Sequence, residues 1–242
     1  MSRRTASSSD LVQALLNAYR RGFFPMACNE GPWTIGHASN IQWFSPDPRG
    51  ILPLDEADGF HVPRRLLSRM RQNPFDLRLD TAFEAVMLGC AAPRKESEDD
   101  EPATGTWIDD TILAWYRSLH QAGHAHSIEA WARDPREGRD RLVGGLYGVS
   151  IGAAFFGESM FHLPLPRRVD GSRHPLDGTD ASKVCLVTLV RALARAGFAL
   201  FDTQMVTSHV ARFGGREIPR REYLRRLEEA AAQPDRWAGV RL

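Results

Sequence analysis

The sequence predicts an α+β protein built on a mixed sheet, with a small N-terminal α/β domain at residues 1–93 and a larger C-terminal domain at 105–242. Three observations lead there. Beyond residue 105, segments with helical periodicity alternate with short apolar runs of strand character. Residues 94–104 (RKESEDDEPAT) are charged and carry no large apolar side chain, as expected of a flexible acidic surface insertion between two packed units. The chain of 242 residues, 43% hydrophobic and 25% charged, is long enough to bury a sizeable core without cross-links.

In chain order, residues 10–22 read as a helix capped by Ser9 or Asp10 and ended by Gly22. A Gly-, Pro- and aromatic-rich stretch follows, with short strands near 41–44 and 51–54. Residues 61–74 form a basic helix with Pro63 in its first turn. A strand at 75–80 and a helix at 81–92 complete the first unit. The second unit opens with a helix at 109–123 and strands at 124–131 and across 141–161. A loop at 162–180, a helix at 181–197 and a strand at 198–204 come next, then a short helix ending at the glycines of RFGG and a final helix from Pro219.

Composition excludes several functions. No apolar run reaches the roughly 18 residues of a membrane span, and the basic, serine-rich start lacks the apolar core of a signal peptide, which places the protein in the cytoplasm with no membrane partner. A net charge of +1 shows no global attraction for nucleic acid, so any such contact must be local. The candidates are Arg64, Arg65 and Arg69 on the basic helix, with Arg216, Arg220 and Arg221 near the C-terminus. Cys28, Cys90 and Cys185 lack metal or disulfide spacing. His120, His124 and His126 straddle a helix end, so no face collects them and no metal is expected. The glycines of LVGGLYG and RFGGR fit neither a P-loop nor a dinucleotide fingerprint, and no GxSxG elbow occurs. No cofactor is expected.

Two polar features stand out. The apolar strand 198–204 ends in Asp202 and Gln204, which alternation places on one face with Phe198 and Leu200. Capping of the next helix and a functional site at the strand's C-terminal end explain them equally well. Glu158 interrupts another apolar strand, where a carboxylate is costly unless paired or solvated. Together, Glu158 and Asp202 can form an acidic floor for a cationic substrate.

In order along the chain, FFP, WFSPDPRGILP, GTWI, HAHSIEAW, LVGGLYGVSIGAAFFGESMF, ASK, FDTQ and EIPRREYL resemble the leucyl/phenylalanyl-tRNA–protein transferases, from about Ala18 to Leu227. The resemblance implies an N-acetyltransferase-like (GNAT) C-terminal domain. It also implies an enzyme that moves Leu or Phe from aminoacyl-tRNA onto the N-terminal Arg or Lys of acceptor proteins, creating a degradation signal. By the same resemblance Asp202 and Gln204 are catalytic: Gln204 bonds the attacking amine while Asp202 orients Gln204 and favours proton loss. Glu158 helps seat the reacting groups, and Trp107 packs on the terminal adenosine. Leu146, Phe155, Met160, Leu189, Leu193 and Phe201 are placed to receive an aminoacyl side chain, Met included. The chain departs from the family pattern at Met26 and Phe44, where tryptophans are usual, and in the enlarged 94–104 and 162–180 loops.

Two other functions remain open to the sequence. An N-acyltransferase using acyl-CoA would share the fold but needs a glycine-bearing pyrophosphate loop that 161–174 does not supply. A non-catalytic binder of basic N-termini would use Glu158 and Asp202 and have no requirement for tRNA.

Overall fold

A computed structural model describes residues 8–28, 41–72, 74–92 and 106–242. Its organising element is a seven-stranded sheet among these residues, in the order β4-β5-β6-β7-β8-β3-β9. The strands are β3 (Arg49–Ile51), β4 (Asp76–Leu79), β5 (Ala125–Arg133), β6 (Asp140–Ile151), β7 (Ala154–His162), β8 (Leu200–Gln204) and β9 (Arg216–Ile218). All neighbours are antiparallel except β7 and β8, which run parallel and are joined by a crossover through α5 (Ala181–Ala196). The sheet is therefore mixed. A separate ribbon pairs β1 (Phe24–Ala27) with β2 (Ile41–Phe44).

Helices cover both faces, because most strands alternate large apolar residues to either side. On one face α1 (Ser8–Arg20), α3 (Phe83–Ala91), α4 (Asp110–Gln121) and α7 (Arg220–Ala231) pack Leu15, Leu16, Tyr19, Val86, Ile112, Tyr116, Tyr223 and Leu227 against Tyr147, Val149, Phe156 and Leu200. On the other face α5 and α2 (Arg64–Arg71) pack Val187, Leu189, Leu193 and Leu66 against Ile128, Leu146, Phe155 and Phe201. The short α6 (Ser208–Ala211) is capped by Thr207, whose side chain accepts from the Val210 N–H. A 3-10 turn at Trp237–Gly239 packs against the α5 side.

The insertion expected at 94–104 lies outside the described residues. Strands from both sides of it, β3 and β4 before and β5 to β9 after, share one sheet. The strand expected at 198–204 begins only at Leu200, since the Phe198 N–H bonds back to the Leu193 carbonyl and closes α5. Among the described residues, no helix is long and apolar enough to cross a membrane.

Candidate active site

The site forms where the parallel strands part. β7 and β8 pair through Ala154↔Leu200, Phe155↔Phe201 and Phe156↔Asp202, and pairing then stops although both strands continue. β8 turns its remaining pairing to β3, with Ile51 opposite Asp202 and Gly50 opposite Gln204. Glu158 on β7 and Gln204 on β8 thus stand two residues beyond the parting. Gly50 is required here because a Cβ would lie 2.6 Å from the Met205 carbonyl carbon.

Asp202 is fully buried and its charge is matched. Arg49 grips it with two bonds, Nε to Oδ1 at 2.9 Å and Nη2 to Oδ2 at 2.6 Å. The Tyr223 hydroxyl donates to Oδ2 at 2.7 Å, and the Gln204 backbone N–H donates to Oδ1 at 2.8 Å. Arg49 also donates to the Gly22 carbonyl at 3.0 Å and lies over the rings of Phe24 and Tyr223. Burial works against its charge, but the hydrogen bonds and charge of Asp202 hold its pKa above the usual arginine value. The same surroundings keep Tyr223 neutral: burial, then the Asp202 charge, pushes its phenol well up.

Gln204 follows from this anchor. Its backbone sits at φ +59°, in the left-handed region that non-glycine residues rarely occupy, and the Asp202 bond to its N–H fixes that conformation. Its side-chain Nε2 is buried without a hydrogen-bond partner. A buried, unpaired amide donor costs about 1–3 kcal/mol, so a strained residue holding one marks a place prepared for another molecule.

Glu158 is set by a bulge. β6 and β7 pair Gly148 with Gly157 and Tyr147 with Ser159, leaving Glu158 as the extra residue. Its half-buried side chain turns to the helical face, where the Tyr19 hydroxyl donates to Oε1 at 2.6 Å and Tyr116 lies nearby. The Tyr19 and Tyr116 hydroxyls contact each other. Burial pushes the Glu158 carboxyl up to about 7, the two tyrosines pull it down, the Asp202 charge adds to the rise and Arg49 opposes it. Burial also raises Tyr19, Tyr116 and Tyr147 well above the ordinary phenol value, so all three stay neutral.

The other candidates fall into three places. Leu146, Phe155, Leu189, Leu193 and Phe201 are buried together on the α5 side, Met160 packs against them, and Phe155 and Phe201 meet edge to face at 5.2 Å. Trp107 is half-buried against the opposite core, and its carbonyl accepts the Ala27 N–H of β1. Arg64, Arg65 and Arg221 are exposed. Arg69 lies over Phe75, while Arg216 bonds the Asp58 carbonyl and Arg220 the Ser45 carbonyl. The link between Asp58 and Arg216, with His61 N–H to Phe213 carbonyl, joins the loop before α2 to the turn before β9. His120 stacks on Phe83 and bonds the Ala125 carbonyl; His126 bonds Asp80 and the Gly123 carbonyl.

Sequence reasoning passed over Arg49, Tyr19, Tyr116 and Tyr223. Arg49 had a usable signal: an arginine leading into the apolar run ILPL must find a carboxylate if it is buried. Tyr19, Tyr116 and Tyr223 occupy core positions of their helices, where an aromatic ring reads as packing. Trp43 and Trp115 were also missed; they stack at 6.0 Å, with Trp43 42% exposed on β2. Phe44 stacks instead on Phe24.

Comparison with known proteins finds relatives along nearly the whole chain. Residues 51–228 match the family model for leucyl/phenylalanyl-tRNA protein transferase, and residues 11–47 match the model of that family's N-terminal domain. A leucyl/phenylalanyl-tRNA–protein transferase of Nitratidesulfovibrio vulgaris strain DP4 is 44% identical over 238 residues, covering 98% of this chain and 86% of the relative. One from Phenylobacterium zucineum is 46% identical over 220 residues, 91% of this chain and 84% of the relative. One from Thiobacillus denitrificans is 47% identical over 230 residues, 95% and 85% respectively. The chain belongs to the leucyl/phenylalanyl-tRNA–protein transferase family.

Proposed function

We propose that this chain transfers leucine or phenylalanine from aminoacyl-tRNA to the N-terminus of cytoplasmic proteins beginning with Arg or Lys, forming a peptide bond and an N-terminal degradation signal. The observation that carries this reading is the unpaired, buried carboxamide donor of Gln204, held at a strained backbone by Asp202 and Arg49 where β7 and β8 part. The parting parallel pair also supports an N-acetyltransferase-like fold for 105–242.

The aminoacyl ester is already activated, so the site needs to position two substrates rather than to supply a nucleotide. The α-amine of the acceptor has a pKa of about 7.7–8.0 and carries a usable neutral fraction near pH 7. Gln204 Oε1 accepts an N–H of this amine, while Nε2 faces the ester carbonyl, where negative charge develops during attack. Asp202 works through the backbone of Gln204, with its charge already matched by Arg49. The carboxylate left to favour a cationic first residue is Glu158. The apolar set around Phe155, Met160 and Phe201 receives the aminoacyl side chain, and Trp107 offers a ring to the terminal adenosine, worth about 1–3 kcal/mol. The exposed arginines of α2 and of the β9–α7 region meet tRNA phosphates.

The test is transfer of radiolabelled leucine from leucyl-tRNA to a protein beginning with Arg, with and without the chain. Acetyl-CoA serves as the competing donor. Label on the protein only with leucyl-tRNA supports the reading; acetyl transfer without leucyl transfer rejects it.

A further inference from the structure

Peptide-bond formation from an amine and an ester must dispose of a proton, and the pair at the end of β8 has no place for it. Each oxygen of Asp202 already accepts two bonds, Oδ1 from Arg49 Nε and the Gln204 N–H, Oδ2 from Arg49 Nη2 and the Tyr223 hydroxyl. Protonating it would break the ion pair that holds Gln204. The Gln204 amide is not a base. Among the described residues, Glu158 is the carboxyl that stands two residues beyond the parting on β7, at the bulge, with its carboxylate against Tyr19 and close enough to Asp202 and Arg49 to feel their charges.

We infer that Glu158 is the proton acceptor for the attacking amine and the proton donor to the departing ribose oxygen. This inference rests on the transfer reaction proposed above. The neutral amine attacks the ester carbonyl, the N–C bond forms, and the nitrogen of the tetrahedral intermediate gives one proton to Glu158. As the C–O bond breaks, Glu158 returns that proton to the ribose oxygen and is again a carboxylate. Nothing is oxidised or reduced, and the protons balance within one turnover.

The groups around Glu158 suit both halves of this exchange. Tyr19 from α1 donates to its carboxylate, the Tyr116 hydroxyl from α4 contacts that of Tyr19, and the neutral Tyr147 of β6 lies among the same groups. From the sheet, Asp202 on β8 opposes its charge and Arg49 on β3 favours it. A carboxyl pushed up to about 7 by burial takes and gives a proton with nearly equal ease near neutrality.

The experiment measures kcat and KM for Arg-starting peptides at saturating leucyl-tRNA between pH 5.5 and 9, for the wild type, Glu158→Gln and Tyr19→Phe. Glu158→Gln should lower kcat about a hundredfold or more with a smaller change in KM, and remove its part of the acidic limb. Tyr19→Phe deletes a donor to the carboxylate, so the limb should move to higher pH, a shift that a structural role would not produce. A Glu158→Gln enzyme with kcat within a few-fold of wild type and a raised KM would reduce Glu158 to an attracting charge and overturn the inference. An unmoved limb in Tyr19→Phe would overturn it as well, and decides the matter if Glu158→Gln fails to fold. A wild type that transfers no leucine rejects the proposed function itself; a wild type that transfers with these variant results rejects only the role of Glu158.

Discussion

Arg49 and Asp202, 153 residues apart in sequence, form a two-bond ion pair in which Arg49 is 1% exposed and Asp202 fully enclosed. The pair locks β3 to β8 and, through the Gln204 N–H, sets the backbone of the residue beyond. Two charges taken out of water are costly to separate. Asp202→Ala or Arg49→Met, each leaving the partner charge buried, should cost about 3–5 kcal/mol and lower Tm in thermal unfolding. Combining Arg49→Met with Asp202→Leu removes both charges and should recover most of that stability while transfer stays lost. Recovered transfer in the double variant would show that the pair serves the fold alone.

Gln204 offers the opposite balance of stability and function. Gln204→Gly keeps the positive φ at no steric cost, removes the unpaired Nε2 and leaves the backbone N–H for Asp202. Stability should be unchanged or slightly higher, while kcat for leucyl transfer falls about 10²- to 10³-fold, the scale of removing one donor to a developing oxyanion. Thermal unfolding and transfer kinetics on the same preparation check both halves. Loss of stability with full activity would return Gln204 to a structural role.

Much of this arrangement was legible because it follows from strong local patterns. The helices at 181–197 and 109–123 and the strands across 141–161 carry long periodic runs, and tertiary packing followed them. β1 and β9 were not, since runs of 4 and 3 residues containing or flanked by proline give periodicity nothing to register. The polar ends of β7 and β8 were readable as carboxylate and amide where apolar residues are expected. Their division of labour was not. Whether Asp202 faces a substrate or an arginine depends on Arg49, whose strand β3 lies 153 residues away in sequence, so the pairing of the two is not written in either local pattern. The bulge at Glu158 was equally hidden, because a single extra residue leaves the composition of GESMF unchanged while turning the side chain to the tyrosines.

The raised pKa of Glu158 has a consequence for stability. A carboxyl whose folded value is about 7 against an ordinary 4.5 binds more protons folded than unfolded between those values. Stability therefore falls as pH rises through that window. Gln resembles the protonated acid, so Glu158→Gln should be close to neutral at pH 5 and stabilising at pH 8, the difference being on the order of 1–3 kcal/mol. Paired Tm measurements at the two pH values test this. Equal effects at both would mean that the folded carboxyl titrates in its ordinary range.

Affinity for tRNA should depend on salt through a limited set of side chains. Arg64 and Arg65 project from α2 without entering the core, and Arg221 is exposed at the start of α7. Arg216 and Arg220 are tied to carbonyls of Asp58 and Ser45, so they arrive partly pre-oriented. Each phosphate neutralised releases counterions, and log K against log salt falls with a slope of roughly 0.7–0.9 per contact. Replacing Arg64 or Arg65 with alanine should weaken leucyl-tRNA binding and flatten that slope by about one contact each, with kcat at saturation little changed. Binding titrations at several salt concentrations, wild type against each variant, supply the slopes. A slope unaltered by either change would move the phosphate contacts off α2 and leave the β9–α7 arginines as the remaining candidates.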